Sequence, residues 1–322
     1  MPLLPEIDSK ARYRELVADE ARWRPGLRVI AARHGLAFDR LERAKGGTHI
    51  VYLDDRVVVK LFVPLWADDA LAERAMLAHV AGRLSIATPG VLGEGELEGW
   101  PYLVLERVPG SHLSERWSSL DQGCQRSLIA QLGALAASLH ALALPELEAA
   151  MRADWQAFLA TRREQLVDKQ REDGLSPAWI ADIEAAVTPA LLAELGEAKL
   201  AALHMDLHHD HLMVQDVDGA LTLSGLFDFG DAMFGACEHE LIAPLAFMAT
   251  MVPGGARALL RGYGYAEREL DEGLASRLTG QLLLQRHCRL SGVLARLGRG
   301  QAPPEDLAAL LARLWDFRGC AH

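Results

Sequence analysis

"LHMDLHHDHLMVQDVDGALTLSGLFDFGDAMFG", residues 203–235, is the stretch that decides the fold. Two runs of β-compatible residues, HLMV and LTLSGLF, flank QDVDG, whose Asp-Gly pair suits a tight reversal with positive φ. The pattern predicts an antiparallel hairpin with His211 and Asp228 beside its open ends. Because a hairpin brings those ends together, we expect Asp206, His211 and Asp228 to line one pocket.

These residue types suit phosphoryl transfer. In that reaction one carboxylate positions the attacking hydroxyl and takes its proton, while other ligands hold the magnesium that neutralises the nucleotide phosphates. The motif HMDLHHDH at residues 204–211, followed by FDFGD at residues 227–231, resembles the catalytic and metal-binding loops of the aminoglycoside phosphotransferase family. Members of that family are kinase-like enzymes that phosphorylate hydroxyls of small molecules.

The resemblance implies a role for each residue of the motif. Asp206 is the catalytic base, His211 occupies the first metal position, Asp228 is the principal metal ligand, and His204 orients the loop. The usual residue at the position of His211 is Asn, and Mg²⁺ prefers hard oxygen ligands to imidazole. Histidine at this position also resembles the aminoglycoside 2″-phosphotransferases and macrolide phosphotransferases, and His211 can act through a bound water.

Two alternatives stay open. The first is a nucleotide-binding protein with weak or no kinase activity, which the His in place of Asn at position 211 motivates. The second is a zinc-dependent hydrolase, because residues 206–211 come within one residue of the His-x-His-x-Asp-His signature of metallo-β-lactamase-type enzymes. Asp206 stands where the first His of that signature belongs, which disfavours zinc. His208 and His209 are then expected to be solvent-facing loop residues or phosphate contacts.

Lys60 lies inside VVVKLF, where a buried strand normally avoids a charge, so it needs a partner. The following segment, DDALAERAMLAHVAGRL, predicts a helix capped by Asp68 or Asp69. Glu73 lies in the first turns of that helix and is the natural carboxylate for Lys60. In kinase-like folds such a Lys–Glu ion pair holds the α/β phosphates of the nucleotide.

Two further segments are candidate nucleotide contacts. Gly46, Gly47 and Thr48 precede a strand, and backbone N–H groups in such a loop can approach phosphate oxygens, although an ordinary hairpin turn is the alternative. LVLERVPG resembles the strand and hinge that join the two lobes in the phosphotransferase family. By that resemblance the Glu106 carbonyl and the Val108 N–H receive the nucleobase, which can be adenine or guanine.

Composition sets outer limits. The chain has 322 residues, half of them hydrophobic, which exceeds what one compact core usually serves and predicts two lobes. Its net charge of −11 argues against a nucleic-acid partner and is compatible with a cationic one. The four cysteines, Cys124, Cys237, Cys288 and Cys320, form no Cys-x-x-Cys pair and are expected to be reduced thiols. Without a signal peptide or an 18-residue apolar run, a cytoplasmic protein with no membrane partner is predicted.

The resemblance covers nearly the whole chain and implies an α+β, bilobal, protein-kinase-like fold. Residues 1–108 form a small N-terminal nucleotide-binding lobe, an antiparallel sheet with one key helix and extra N-terminal helices. Residues 109–322 form a larger, mainly helical catalytic and substrate-binding lobe. The implied activity moves the γ-phosphate of ATP or GTP, with Mg²⁺, to a hydroxyl of a small molecule such as an aminoglycoside or similar amino sugar, as in antibiotic resistance.

Overall fold

A computed structural model describes residues 2–143, 148–286, 288–297 and 302–319. The chain divides into two compact units. The first unit comprises Met1–Pro109 together with Gly225–Ala232, and the second comprises Gly110–Ser224 together with Met233–His322. The short segment that contains Asp228 therefore belongs to the first unit, although its chain neighbours on both sides belong to the second. The assignment of nucleotide binding to residues 1–108 and of catalysis to residues 109–322 stays a prediction.

The first unit is built on an antiparallel five-stranded sheet whose order is β1-β2-β3-β5-β4. Its inner face is apolar because alternate residues of a strand point to the same side, so that Ile50 and Tyr52 of β2 are buried. Trp23 and Trp100 pack edge to face in the same core, with ring centroids 5.4 Å apart. The elements are α1 (Lys10–Leu16), α2 (Arg24–Arg33), β1 (Glu42–Arg43), β2 (Ile50–Leu53), β3 (Val57–Leu61), α3 (Asp68–Val80), β4 (Val91–Leu97) and β5 (Trp100–Glu106).

The second unit is mainly helical. Its helices are α4 (Leu113–Trp117), α5 (Gln122–His140), α6 (Glu148–Glu172), α7 (Pro177–Ala186), α8 (Pro189–Gly196), α9 (Cys237–Glu240), α10 (Ile242–Phe247), α11 (Gly255–Tyr263), α12 (Glu272–Leu284), α13 (Leu290–Leu297) and α14 (Leu307–Leu314). Helices α5 and α11 pack closely, and glycine at position 133 permits this approach. A Cβ added at Gly133 would lie 2.1 Å from the Leu259 carbonyl oxygen. The helices described in this structure include none that is long and apolar enough to span a membrane.

Short strands carry the central loops. They are β6 (Ser111–His112), β7 (Leu200–Leu203), β8 (Leu212–Val217), β9 (Ala220–Leu226) and β10 (Met233–Ala236). Strands β8 and β9 form the predicted hairpin, and Asp218 (φ 50°) and Gly219 (φ 81°) make the predicted turn with positive φ at both residues. Strands β7 and β10 pair antiparallel, from Leu203 opposite Met233 to Leu200 opposite Ala236.

Three cysteines have free thiols in the structure, Cys124, Cys237 and Cys288. This agrees with the expectation of reduced cysteines at these positions. Cys320, to which the same expectation applied, lies outside the described residues.

Candidate active site

Lys60 lies between two carboxylates of the first unit. Its Nζ is 2.6 Å from Glu73 Oε2 and 2.6 Å from Asp228 Oδ1. Strand β3 supplies Lys60, helix α3 supplies Glu73, and the loop after β9 supplies Asp228. The prediction that Lys60 pairs with Glu73 is therefore confirmed. Lys60 also has a second acidic partner, Asp228.

Burial sets the charges of this cluster. Burial by itself lowers the pKa of Lys60, but the charges of Asp228 and Glu73 outweigh it and raise that pKa, so Lys60 stays protonated. Burial raises the pKa of Glu73, and the Lys60 charge and a hydrogen bond from the Phe229 backbone act in the opposite direction. Lys60 and Glu73 are almost fully buried, whereas the Asp228 side chain is 42% exposed. The cluster therefore presents one carboxylate to the solvent.

Asp228 has a left-handed backbone, with φ of 67°. For a residue other than glycine this conformation costs on the order of 1 kcal/mol, although aspartate tolerates it better than most. The short hydrogen bond to Lys60 offsets the cost and holds the side chain in one orientation. The sequence motif predicted this loop, but not the ion pair between Asp228 and Lys60.

His49 joins the segment after the glycine pair to the start of α3. Its Nδ1 accepts a hydrogen bond from the Val63 N–H at 3.2 Å, so Nε2 carries the hydrogen that is donated to Asp69 Oδ2 at 3.0 Å. The expectation that Asp68 or Asp69 caps α3 was wrong, because the N-cap is Ala67 and makes no side-chain hydrogen bond. The Asp69 carboxylate is engaged with His49 instead.

The glycine loop and the hinge segment also belong to the first unit. Gly46 and Gly47 both have positive φ, 82° and 97°, and no side-chain atom crowds either position. Conformation, not lack of space, is therefore the reason for glycine at both positions. At the other segment, β5 ends at Glu106 and Val108 is buried. The contacts of Gly46, Gly47, Thr48, Glu106 and Val108 with a nucleotide stay predictions.

The loop after β7 places three histidines around Asp206 in the second unit. His208 Nε2 is 2.9 Å from Asp206 Oδ1, and His211 Nδ1 is 2.8 Å from the Asp206 carbonyl oxygen. The Asp206 N–H donates to His204 Nδ1 at 3.3 Å. Because a carbonyl only accepts, His211 donates this hydrogen bond through Nδ1.

Asp206 is held as a carboxylate. Burial alone would raise the pKa of Asp206, but the hydrogen bond from His208 and electrostatic interactions with His208, His211 and His204 outweigh it, so the net pKa lies below the usual value. Of the two expectations for His208, the solvent-facing one was wrong, because its ring is buried and stacks on Phe247 at a centroid distance of 4.6 Å. Contact of His208 with phosphate stays a prediction. His209 is partly buried and contacts Trp117 edge to face.

The same geometry bears on a zinc site. Ligand atoms of Asp206, His208 and His211 lie within 4.8 Å of one another, as zinc ligands do. His208, however, uses both ring nitrogens for protein contacts, since Nδ1 accepts from the Asp210 N–H at 3.3 Å and Nε2 donates to Asp206. It has no lone pair to offer a metal in this arrangement, so the donor set does not fit a zinc hydrolase.

Glu240 anchors the start of the loop after β7. Its carboxylate accepts the N–H groups of His204, at 2.5 Å, and of Met205, at 2.9 Å. Met205 has φ of 74°, and its buried side chain packs with Leu203 and Cys237. Burial alone would raise the pKa of Glu240, but the interaction with His140 outweighs it, so the net pKa lies below the usual value. A buried carboxylate therefore stays ionised beneath the loop.

His140 supplies the opposite charge and makes stability depend on pH. Its Nε2 is 3.8 Å from Glu240 Oε2, and its Nδ1 is 2.9 Å from the Tyr263 hydroxyl. Burial lowers the pKa of His140, but interactions with Cys237 and Glu240 raise it to about 9. A pKa that is higher in the folded chain than the unfolded value of about 6.5 gives stability that is fully present below pH 6.5 and lost as pH rises through 9.

We therefore expect the free energy of unfolding to fall by about 3 kcal/mol between pH 6 and pH 10 through His140. Urea unfolding of the whole chain at several pH values measures this. His140→Gln should flatten that part of the pH profile. An equal fall in the variant would show that other groups cause it.

Comparison with known proteins places the chain in a family. The profile of the phosphotransferase enzyme family matches residues 9–274. Viomycin phosphotransferase of Streptomyces vinaceus is 29% identical over 242 residues, which cover 72% of this chain and 78% of that protein.

Solved structures share the fold. The streptomycin–ATP ternary complex of APH(2″)-IIa is 14% identical, with a TM-score of 0.58, and the match covers 92% of this chain and 98% of that one. The GDP complex of wild-type aminoglycoside 2′-phosphotransferase-IIIa is 17% identical, with a TM-score of 0.61, and the match covers 86% and 91%. The predicted α+β kinase-like fold and the predicted enzyme class, a small-molecule phosphotransferase, are confirmed. Because the family profile spans most of its length, the chain belongs to the phosphotransferase enzyme family.

Proposed function

We propose that this enzyme transfers the γ-phosphate of ATP or GTP to a hydroxyl of a small cationic molecule, with an aminoglycoside or similar amino sugar as the first candidate. The observation that carries the proposal is Lys60, buried between Glu73 and Asp228. Phosphoryl-transfer enzymes of the kinase type use a lysine in this setting for the nucleotide phosphates and an aspartate for the metal. Viomycin is a second candidate acceptor, since a viomycin phosphotransferase is a relative.

On the nucleotide side, we assign Lys60 to the α/β phosphates. Glu73 fixes the lysine, and a buried ion pair with two carboxylates keeps its ammonium group in one place. Successive N–H groups of a loop with positive φ can form an anion-binding concavity, which supports phosphate contact by the glycine pair. The loop residues assigned to this contact are Gly46, Gly47 and Thr48. The Glu106 carbonyl and the Val108 N–H are assigned to the nucleobase.

On the metal side, Asp228 is the ligand that fits Mg²⁺ best. Its side chain is 42% exposed, and Mg²⁺ prefers hard oxygen ligands such as a carboxylate. We assign His211 to the metal through a bound water, because Mg²⁺ keeps several waters. When bound, Mg²⁺ neutralises charge on the transferred phosphate.

On the acceptor side, Asp206 receives the substrate hydroxyl. Its depressed pKa makes it a weak base, suited first to orienting the hydroxyl and then to taking the proton as the new O–P bond forms. The bond between the γ-phosphorus and the β,γ-bridging oxygen breaks in the same step, and the nucleoside diphosphate leaves. This assignment requires that Asp206 and Asp228 serve one reaction, which stays a prediction.

We further propose that the enzyme acts in the cytoplasm and inactivates an antibiotic. The need for a nucleoside triphosphate as donor supports the location. The net charge of −11 supports attraction of a cationic acceptor. The family membership and the viomycin phosphotransferase relative support the biological role.

An acceptor screen tests the function. The purified full chain is given ATP or GTP, Mg²⁺ and one of streptomycin, other aminoglycosides, viomycin, a macrolide or a small amino alcohol. We expect nucleotide consumption that depends on the acceptor, a product heavier by one phosphate group, and loss of both after removal of metal with EDTA. Restoration by Mg²⁺ but not by Zn²⁺ is also expected, since hard oxygen ligands dominate the site.

Two outcomes would contradict the proposal. Tight nucleotide and Mg²⁺ binding without a phosphorylated product across the panel would favour the nucleotide-binding alternative. Stoichiometric zinc in the purified protein, found by elemental analysis, would favour the hydrolase alternative. A difference between ATP and GTP in the same screen identifies the donor.

A further inference from the structure

His208 makes a contact with Asp206 that the family motif did not assign. The two side chains meet at 2.9 Å, from Nε2 to Oδ1, and the His208 side chain is only 8% exposed. The Asp206 side chain is 33% exposed and so keeps access to a substrate. A fixed donor therefore holds one oxygen of a carboxylate whose other oxygen must meet a hydroxyl.

The hydrogen on His208 is placed by the backbone. Nδ1 accepts the Asp210 N–H at 3.3 Å, at the start of the short 3-10 turn His209–His211. In the neutral ring the hydrogen is then on Nε2, the nitrogen that faces Asp206. The tautomer is thus set by the turn itself, so the donor is present before any substrate binds.

Packing fixes the plane of the ring. Phe247 at the end of α10 stacks on His208 with a centroid distance of 4.6 Å and an angle of 26° between the planes. The Arg296 guanidinium lies 4.3 Å from the centroid of the Phe247 ring. A ring held by stacking and by a backbone hydrogen bond has little rotational freedom left, so its N–H direction is defined.

The other histidine near Asp206 fixes a different part of that residue. His211 Nδ1 donates to the Asp206 carbonyl oxygen at 2.8 Å and is 3.6 Å from Oδ2. Its geometry thus controls the backbone of the loop. His208 instead fixes the orientation of the Asp206 carboxylate.

We infer that His208 is a positioning residue for the transfer reaction: it holds Oδ1 of Asp206 so that Oδ2 is aligned with the acceptor hydroxyl. The inference rests on the proposed role of Asp206 as the base. Misalignment of a catalytic group by about 1 Å can cost on the order of 100-fold in rate. Loss of the His208 donor should therefore lower kcat and leave substrate affinity nearly unchanged.

Three substitutions separate hydrogen bonding from packing. His208→Gln places an amide N–H near the position of Nε2, His208→Phe keeps the stacking ring without a donor, and His208→Asn is too short to reach Asp206. We expect His208→Phe and His208→Asn to lower kcat by about 10- to 100-fold. The KM for nucleotide and for acceptor should change by less than about threefold. Gln should recover most of the lost rate.

His79→Gln is the control, because His79 lies on α3, pairs with Arg83 and has no assigned role in the reaction. It should retain wild-type kcat. Circular dichroism and urea unfolding verify that all variants are folded. Wild-type kcat in folded His208→Phe, or equal losses in the Gln and Phe variants, would overturn the inference.

A second measurement needs no substrate. Histidine ¹⁵N NMR of the whole chain should show His208 as the Nε2–H tautomer. The Nδ1–H tautomer at His208 would refute the positioning contact even in an active enzyme. If the expected tautomer is found but no acceptor is phosphorylated, the proposed function fails while the contact stands.

Discussion

Asp206→Ala is expected to lower kcat by about 10²- to 10⁴-fold, the usual contribution of a general base, and to leave the nucleotide Kd within about twofold. The carboxylate is ionised, held by His208, and the proposed acceptor of the hydroxyl proton. The nucleotide is assigned to groups of the first unit, which does not contain Asp206. Steady-state kinetics and calorimetric nucleotide titration measure the two effects separately.

Two companion variants sharpen this experiment. Asp206→Asn keeps an oxygen that can accept from His208 but cannot take a proton, so it should be nearly as inactive as the Ala variant. Asp216→Ala removes an exposed carboxylate from β8 and should behave as wild type. Activity that survives Asp206→Ala would remove the proposed mechanism.

Lys60→Met is expected to affect stability and activity together. Removing the lysine leaves Glu73 buried, with 1% exposure, without its cation, and breaking a buried pair in this way costs about 3–5 kcal/mol. Nucleotide binding should also be lost, because no ammonium group remains for the phosphates. Urea unfolding and calorimetric titration measure the two losses.

The double variant Lys60→Met/Glu73→Gln separates the two roles. A neutral Gln removes the unpaired charge, so much of the stability should return while nucleotide binding and turnover stay lost. Arg74→Met on the same helix is the control, because the Arg74–Glu94 pair is exposed and contributes less than about 1 kcal/mol. Recovery of turnover in the double variant would show that Lys60 is structural only.

Local chemistry made part of this structure predictable. The hairpin followed from an Asp-Gly pair between β-compatible runs, and both turn residues have the positive φ that this pair favours. The pairing of Lys60 followed from the cost of a charge in an apolar strand. The helix that follows this strand in the sequence offered Glu73 as the partner. Both inferences needed only residues close in sequence or a strong energetic penalty.

Contacts between distant segments were not predictable in this way. His208 was expected to face solvent or to contact phosphate, and no local pattern shows that Phe247, 39 residues later, covers its ring. Asp68 or Asp69 was expected as the helix cap, but the N-cap is Ala67, and His49 binds the Asp69 carboxylate. In each case a tertiary partner determines the side chain's surroundings, and one sequence does not identify that partner.

The order of synthesis matters for the Lys60 cluster. Lys60 and Asp228 are 168 residues apart, so at about 5–20 residues per second the aspartate leaves the ribosome roughly 10–30 s after the lysine. Until then a nascent first unit has one carboxylate beside Lys60 instead of two. We expect that unit to become protease-resistant only after the segment Gly225–Ala232 has emerged, which would delay the appearance of nucleotide affinity until translation is well advanced.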